Sequence, residues 1–188
     1  MPKLYLGPNL TSDDFPAGLQ TIDDKLKVFT DRVEGWQLKI ARDLIDRDGH
    51  AGFAVLHIVT SYIEMIAMYI NGPGLMRAKK YFEAGAKAVF PELHKENRRH
   101  VRWFLKSLYK NLRCGLYHQG MTRSGILLSG DIRRPYEFHD LGSGASQIVI
   151  NPRLLVDHLA QHFASYLTTL NNQANAAERA RFEAMFDS

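Results

Sequence analysis

Arg113 and His118 bracket the segment Arg113-Cys114-Gly115-Leu116-Tyr117-His118, an Arg-x4-His spacing. The arginine is a permanent cation whose planar fork of donors suits phosphate. The histidine exchanges a proton near neutral pH. Together they offer two services that phosphate-ester chemistry uses: one group steadies the anion and the other moves the proton. On an ideal helix five residues turn by about 140°. The two side chains therefore diverge unless the helix ends between them, and Gly115 and Gly120 are candidate ends. The plainer alternative is a pair of cations near a helix C-terminus, favourable there against the helix dipole.

Further residues bear on the same chemistry. Arg99, Arg102, Lys106 and Lys110 precede Arg113 at spacings of three and four, which puts them on one helix face. That face is either a track for an RNA backbone or an ordinary solvated face opposite Val101, Phe104, Leu105, Leu108 and Leu112. His57, Thr60, Ser61 and Glu64 form one narrow polar stripe in an otherwise apolar segment. If that segment is buried all round, Glu64 needs a cationic partner to stay ionised, and Arg113 is the candidate. Otherwise the stripe is the solvent side. His158 and His162 are four apart, which permits metal ligation. No His-Glu-x-x-His pattern accompanies them, and an amphipathic helix face accounts for both. Cys114 has no identifiable orienting residue, so it reads as a packed thiol rather than a nucleophile. The expectation is therefore no metal and no cofactor.

The elements that must position these residues follow from periodicity. Residues 1–20 read as an irregular arm. Thr21 opens a helix with Asp24 three residues on, an approximate capping box. Ile22, Leu26, Phe29, Val33, Trp36, Ile40 and Leu44 then trace one apolar stripe toward Asp48-Gly49. Further helices are expected over Gly52–Ile70, Leu75–Val89 and from near Glu92 to about Tyr117. Short β-like runs follow at 126–128, 136–139 and 147–150, close enough together to suggest an antiparallel meander. Asn151-Pro152 opens a helix with Leu155, Leu159, Phe163, Tyr166 and Leu170 on its face. A last short helix is expected within 174–186. The fold class expected is mainly α: an antiparallel bundle of four main helices in a single domain. A β appendage at 121–150 precedes the last long helix, and a tail helix lies in 171–188.

The 188 residues suffice for one domain with a real core. A hydrophobic share of 45% and a charged share of 23% are those of a soluble globular protein. Lysine and arginine outnumber the acids by 24 to 20, a net charge of +4 that mildly favours anionic partners. One cysteine allows no internal disulfide, which fits a cytoplasmic setting. The first ten residues lack an apolar signal-peptide core. His57, Thr60, Ser61 and Glu64 interrupt the most apolar stretch, 53–70, so no membrane span is expected.

A helical bundle with Arg-x4-His late in a long helix resembles the HEPN superfamily, the "higher eukaryotes and prokaryotes nucleotide-binding" domains. The residues that carry the resemblance are Arg113 to His118, with Gln119-Gly120 after them. The expected helices Thr21–Asp46 and Gly52–Ile70 look like the long antiparallel pair of that fold. The resemblance implies a metal-independent endoribonuclease, often a toxin or an antiviral effector, in which two motifs meet across a homodimer. It implies His118 as general acid/base and Arg113 as the stabiliser of the transition-state phosphate, with a 2′,3′-cyclic phosphate as product. Glu64 would then support Arg113, while Arg99, Arg102, Lys106 and Lys110 would bind RNA. An antitoxin or another protein partner is implied as well. This chain has Cys114 where active relatives often carry a polar residue, and Gly120 where toxins silenced by nucleotide addition carry tyrosine. The alternative is a non-catalytic module of the same kind, binding RNA, a nucleotide or a protein.

Overall fold

Thr21 starts the first helix by a reciprocal cap. Its hydroxyl accepts the Asp24 N–H at 3.1 Å, and the Asp24 carboxylate accepts the Thr21 N–H at 2.9 Å. The computed structural model describes residues 3–74, 76–140 and 146–188. From the cap runs α1, Ile22–Val33, then one π turn, Glu34–Leu38, then α2, Lys39–Arg47. A π turn holds one extra residue, so everything beyond it is rotated by about 100° relative to an α-helix. Leu26, Phe29 and Val33 are buried before the turn, Leu38 at its last position, and Ala41 and Ile45 after it. The expected stripe through Trp36 and Ile40 is therefore broken. These two side chains are 48% and 44% exposed.

The helix α3, Gly52–Asn71, lies at the centre. By length and composition it could cross a bilayer. Here α2 and three later helices, α4 (Ala78–Val89), α7 (Pro152–Asn171) and α8 (Ala176–Phe186), all pack on it. The close approach of α4, Ala78–Val89, depends on Gly85, where any Cβ would collide with the Ile63 carbonyl oxygen of α3. The helix expected from Glu92 begins later. A 3-10 segment, Pro91–Lys95, comes first, and α5, Arg98–Ser107, starts at the Asn97 cap. A second π turn, Leu108–Arg113, leads into α6, Cys114–Gln119, which Gly120 ends at φ +71°.

The β appendage is not an antiparallel meander. The strands β1, Ile126–Leu128, β2, Tyr136–Asp140, and β3, Ser146–Ile150, are ordered β1-β3-β2. The central β3 pairs parallel to β1, Ile126 opposite Ile148, and antiparallel to β2, Phe138 opposite Ile148. The strand with the most buried side chains takes the centre: Ile148, Val149 and Ile150 are all buried, whereas Leu127 of the edge strand β1 is exposed. Asn151 then caps α7, Pro152–Asn171, accepting the Leu154 N–H at 3.2 Å.

The closing helix α8, Ala176–Phe186, is no mere tail. Phe182 is fully buried against Phe29 and Tyr69, with ring centroids at 5.3 and 5.6 Å. Instead of four main helices, six helical stretches occur among the described residues, counting each π-interrupted helix once. One continuous hydrophobic core takes side chains from Leu26 to Phe182 and includes Ile126, Ile148 and Ile150 of the sheet. The arm before Thr21 is anchored rather than loose. Asp31 accepts the Asn9 backbone N–H at 2.9 Å, and Arg32 Nε donates to the Leu6 carbonyl at 2.5 Å.

Candidate functional site

The second π turn sets the geometry around Arg113. Arg99, Arg102, Lys106 and Lys110 are exposed along α5 and into the turn. The extra residue of the turn swings Arg113 off that stripe and toward α3. Its side chain is only 18% exposed. There Nη2 donates to Glu64 Oε2 at 3.0 Å and Nε donates to the same oxygen at 3.1 Å. Glu64, 20% exposed, is thus the acid that Arg113 meets. The remaining guanidinium nitrogen, Nη1, makes no hydrogen bond among the described residues.

Two rings complete the mount. The guanidinium carbon lies 4.3 Å from the Tyr117 ring centroid and 5.9 Å from that of Tyr109. Sequence reasoning missed both tyrosines. Their signal is the spacing of four on either side of Arg113, which puts successive side chains on one helix face. His57 extends the aromatic patch, its ring 6.0 Å from Tyr117. Burial works against the Arg113 charge. The Glu64 carboxylate outweighs it and holds the guanidinium pKa above its ordinary value. Tyr109 is pushed up by burial first and then by the neighbouring Cys114 thiol.

His118 is placed differently. The helix does not end between Arg113 and His118 but continues to Gln119. Gly120 is the terminator, whereas Gly115 lies inside the helix and serves another purpose. A Cβ on Gly115 would stand 2.8 Å from the Met121 carbonyl oxygen and 3.0 Å from the Arg123 nitrogen. Its absence lets the outgoing chain fold back along α6, where the Arg123 N–H donates to the Asn111 carbonyl at 2.8 Å. His118 is exposed. It makes no hydrogen bond, ion pair or ring contact with Arg113 or Glu64 among the described residues.

The polar stripe on α3 is split between core and surface. Thr60 is fully buried and donates to the His57 carbonyl at 3.1 Å, while Ser61 is exposed. His158 and His162 are engaged separately. His158 Nε2 donates to the Val89 carbonyl at 2.6 Å, and His162 Nδ1 is 2.8 Å from the Tyr62 hydroxyl. No family model, curated protein or solved structure matches the chain.

Proposed function

We propose that this protein is a HEPN-type, metal-independent endoribonuclease whose cleft forms between two copies of the chain. One observation carries the reading. Arg113 is immobilised by Glu64 and Tyr117 with Nη1 unpaired among the described residues, and the exposed His118, without a partner among them, follows in α6. A fixed cation with a spare donor suits a developing phosphate charge, because little reorganisation is needed as that charge forms. His118 faces away from Arg113 within its own chain, so its complement comes from the second copy in an antiparallel helical bundle.

In this mechanism the RNA 2′-oxygen attacks the adjacent phosphorus as His118 takes its proton. The bond from phosphorus to the 5′-oxygen breaks, and the leaving oxygen takes up a proton given back by the protonated His118. Arg113 Nη1 stabilises the crowded phosphate between these events. The products are a 2′,3′-cyclic phosphate and a free 5′-hydroxyl. The charges of Arg102, Lys106 and Lys110 draw the RNA backbone toward α6.

The test is cleavage of labelled single-stranded RNA in EDTA by the wild type, Arg113→Ala and His118→Ala, with each protein's mass measured by sedimentation. The wild type is expected to sediment as a dimer and release cyclic-phosphate ends. Each variant is expected to lose about 100-fold or more in rate. Equal cleavage by all three rejects the assignment. A second reading, a non-catalytic RNA-binding module, is favoured by the charge on Arg113 being already matched by Glu64. It prevails if the wild-type dimer binds RNA and leaves it intact.

A further inference from the structure

We propose that the cavity between the start of α5 and the β2–β3 edge is a stacking site for one base of a single-stranded RNA. This rests on the RNA reading above and adds to it a second place of contact, at the far end of the basic stripe. The cavity has a volume of about 560 Å³ and is lined by Asn97, Arg99, His100, Trp103, Phe138 and His139, with Ser146 at the start of β3. Its walls are rich in rings. His100 lies 4.2 Å from Phe138, and Trp103 lies 5.7 Å from Phe138. Trp103 and Phe138 are only half-buried. Half-buried aromatic faces lining an open cavity suit the flat, sequence-independent surface of a base.

The charge pattern selects a strand over an isolated apolar ligand. Arg99 lines the cavity and also heads the exposed series Arg102, Lys106 and Lys110. It makes no ion pair among the described residues. The histidines are less available to a phosphate, because Glu96 stands 3.5 Å from His100 and Glu137 stands 3.6 Å from His139. Stacking on Trp103 and Phe138 therefore supplies the grip, and Arg99 supplies the phosphate contact. The distance from Arg99 to His118 along the helix is about 28 Å at 1.5 Å per residue. A strand anchored at the cavity would run over the lysines to the motif.

The experiment uses the full chain carrying His118→Ala, so that RNA is bound and not cut. Trp36 and Trp103 are the two tryptophans, and Trp36→Phe leaves Trp103 as the sole indole reporter. Titration with a short single-stranded oligouridylate is expected to quench Trp103 emission saturably. In anisotropy measurements Trp103→Leu is expected to weaken binding on the order of tenfold. Arg99→Ala is expected to weaken it several-fold and to reduce the salt slope by about one. Arg99 is exposed, so its variant tests the site even if Trp103→Leu folds poorly. Unchanged affinity in both variants, with weakened binding in Lys106→Ala and Lys110→Ala, overturns the cavity site and leaves the RNA reading standing. No RNA binding by the parent overturns both. Competition by adenosine monophosphate as effective as that by RNA marks a free-nucleotide site and overturns the strand assignment.

Discussion

Glu64 grips Arg113 through Nε and Nη2 together, and Tyr117 backs the same guanidinium. Each contact restricts a side chain that otherwise has many rotamers, so the cation is held in one orientation before any ligand arrives. The pair is mostly shielded from water, which puts its worth between that of an exposed bridge and a buried one. Glu64→Gln keeps the shape and removes the charge. It is expected to lower stability by about 1–2 kcal/mol, read from the urea midpoint at unchanged slope. A midpoint identical to wild type would show that the bridge adds nothing to the fold. The Glu64–Arg113 contact was legible in the sequence because an acid on so apolar a helix needs a cation. The tyrosines were legible only as spacing, each four residues from Arg113, since aromatic residues at helical spacing are usually core.

At the scale of elements, the two π turns are what most separates this protein from an idealised helical one. Glu34–Leu38 moves Trp36 and Ile40 from the core to the surface, and Leu108–Arg113 moves Arg113 from the surface toward α3. Both shifts have one cause: an extra residue per turn changes which side chains align downstream. The contact of α3 with α4 is the tightest of the helix packings at a glycine. Gly85→Ala would press a methyl group onto the Ile63 backbone carbonyl, which no rotamer change can relieve. Its expected cost is about 3 kcal/mol or more, checked by thermal unfolding against Gly49→Ala, where a Cβ meets nothing within 4 Å. Equal melting temperatures for the two variants would mean that α3 and α4 separate easily.

For the molecule as a whole, a single core joins the first helix, the sheet and α8, so its stability responds to any buried group that titrates. His162 is such a group. Burial first, and then the nearby His158, lower its pKa from 6.5 to about 4, with its Nδ1 2.8 Å from the Tyr62 hydroxyl. The unfolded chain takes up this proton more readily than the folded one. Stability is therefore full above pH 6.5 and falls as the pH drops toward 4. At 1.36 kcal/mol per pH unit the loss is about 3 kcal/mol. Urea unfolding across this range should show a shallower decline for His162→Gln than for the wild type. Parallel curves would mean that the imidazole is solvated in the fold.

The sequence by itself determined most of the helical stretches and the caps at Thr21 and Asn151, because these depend on neighbours within a few residues; it offered Gly115 and Gly120 as ends, and the structure uses Gly120. Thr21 with Asp24, and Asn151 with Pro152, begin helices that the structure contains, whereas the start at Asn97 in place of Glu92 came from the structure. The sequence also carried the need of Glu64 for a cation. Only the tertiary structure decided where the π turns fall, since α and π turns differ by one residue and the choice depends on what the next turn must bury. It alone ordered the strands β1-β3-β2, because strand neighbours are chosen by burial across the whole sheet. It alone gave Gly115 its role, through a chain segment that folds back on it. And it set Arg113 and His118 on different sides of one continuous helix, a separation that follows from the helix running on to Gln119.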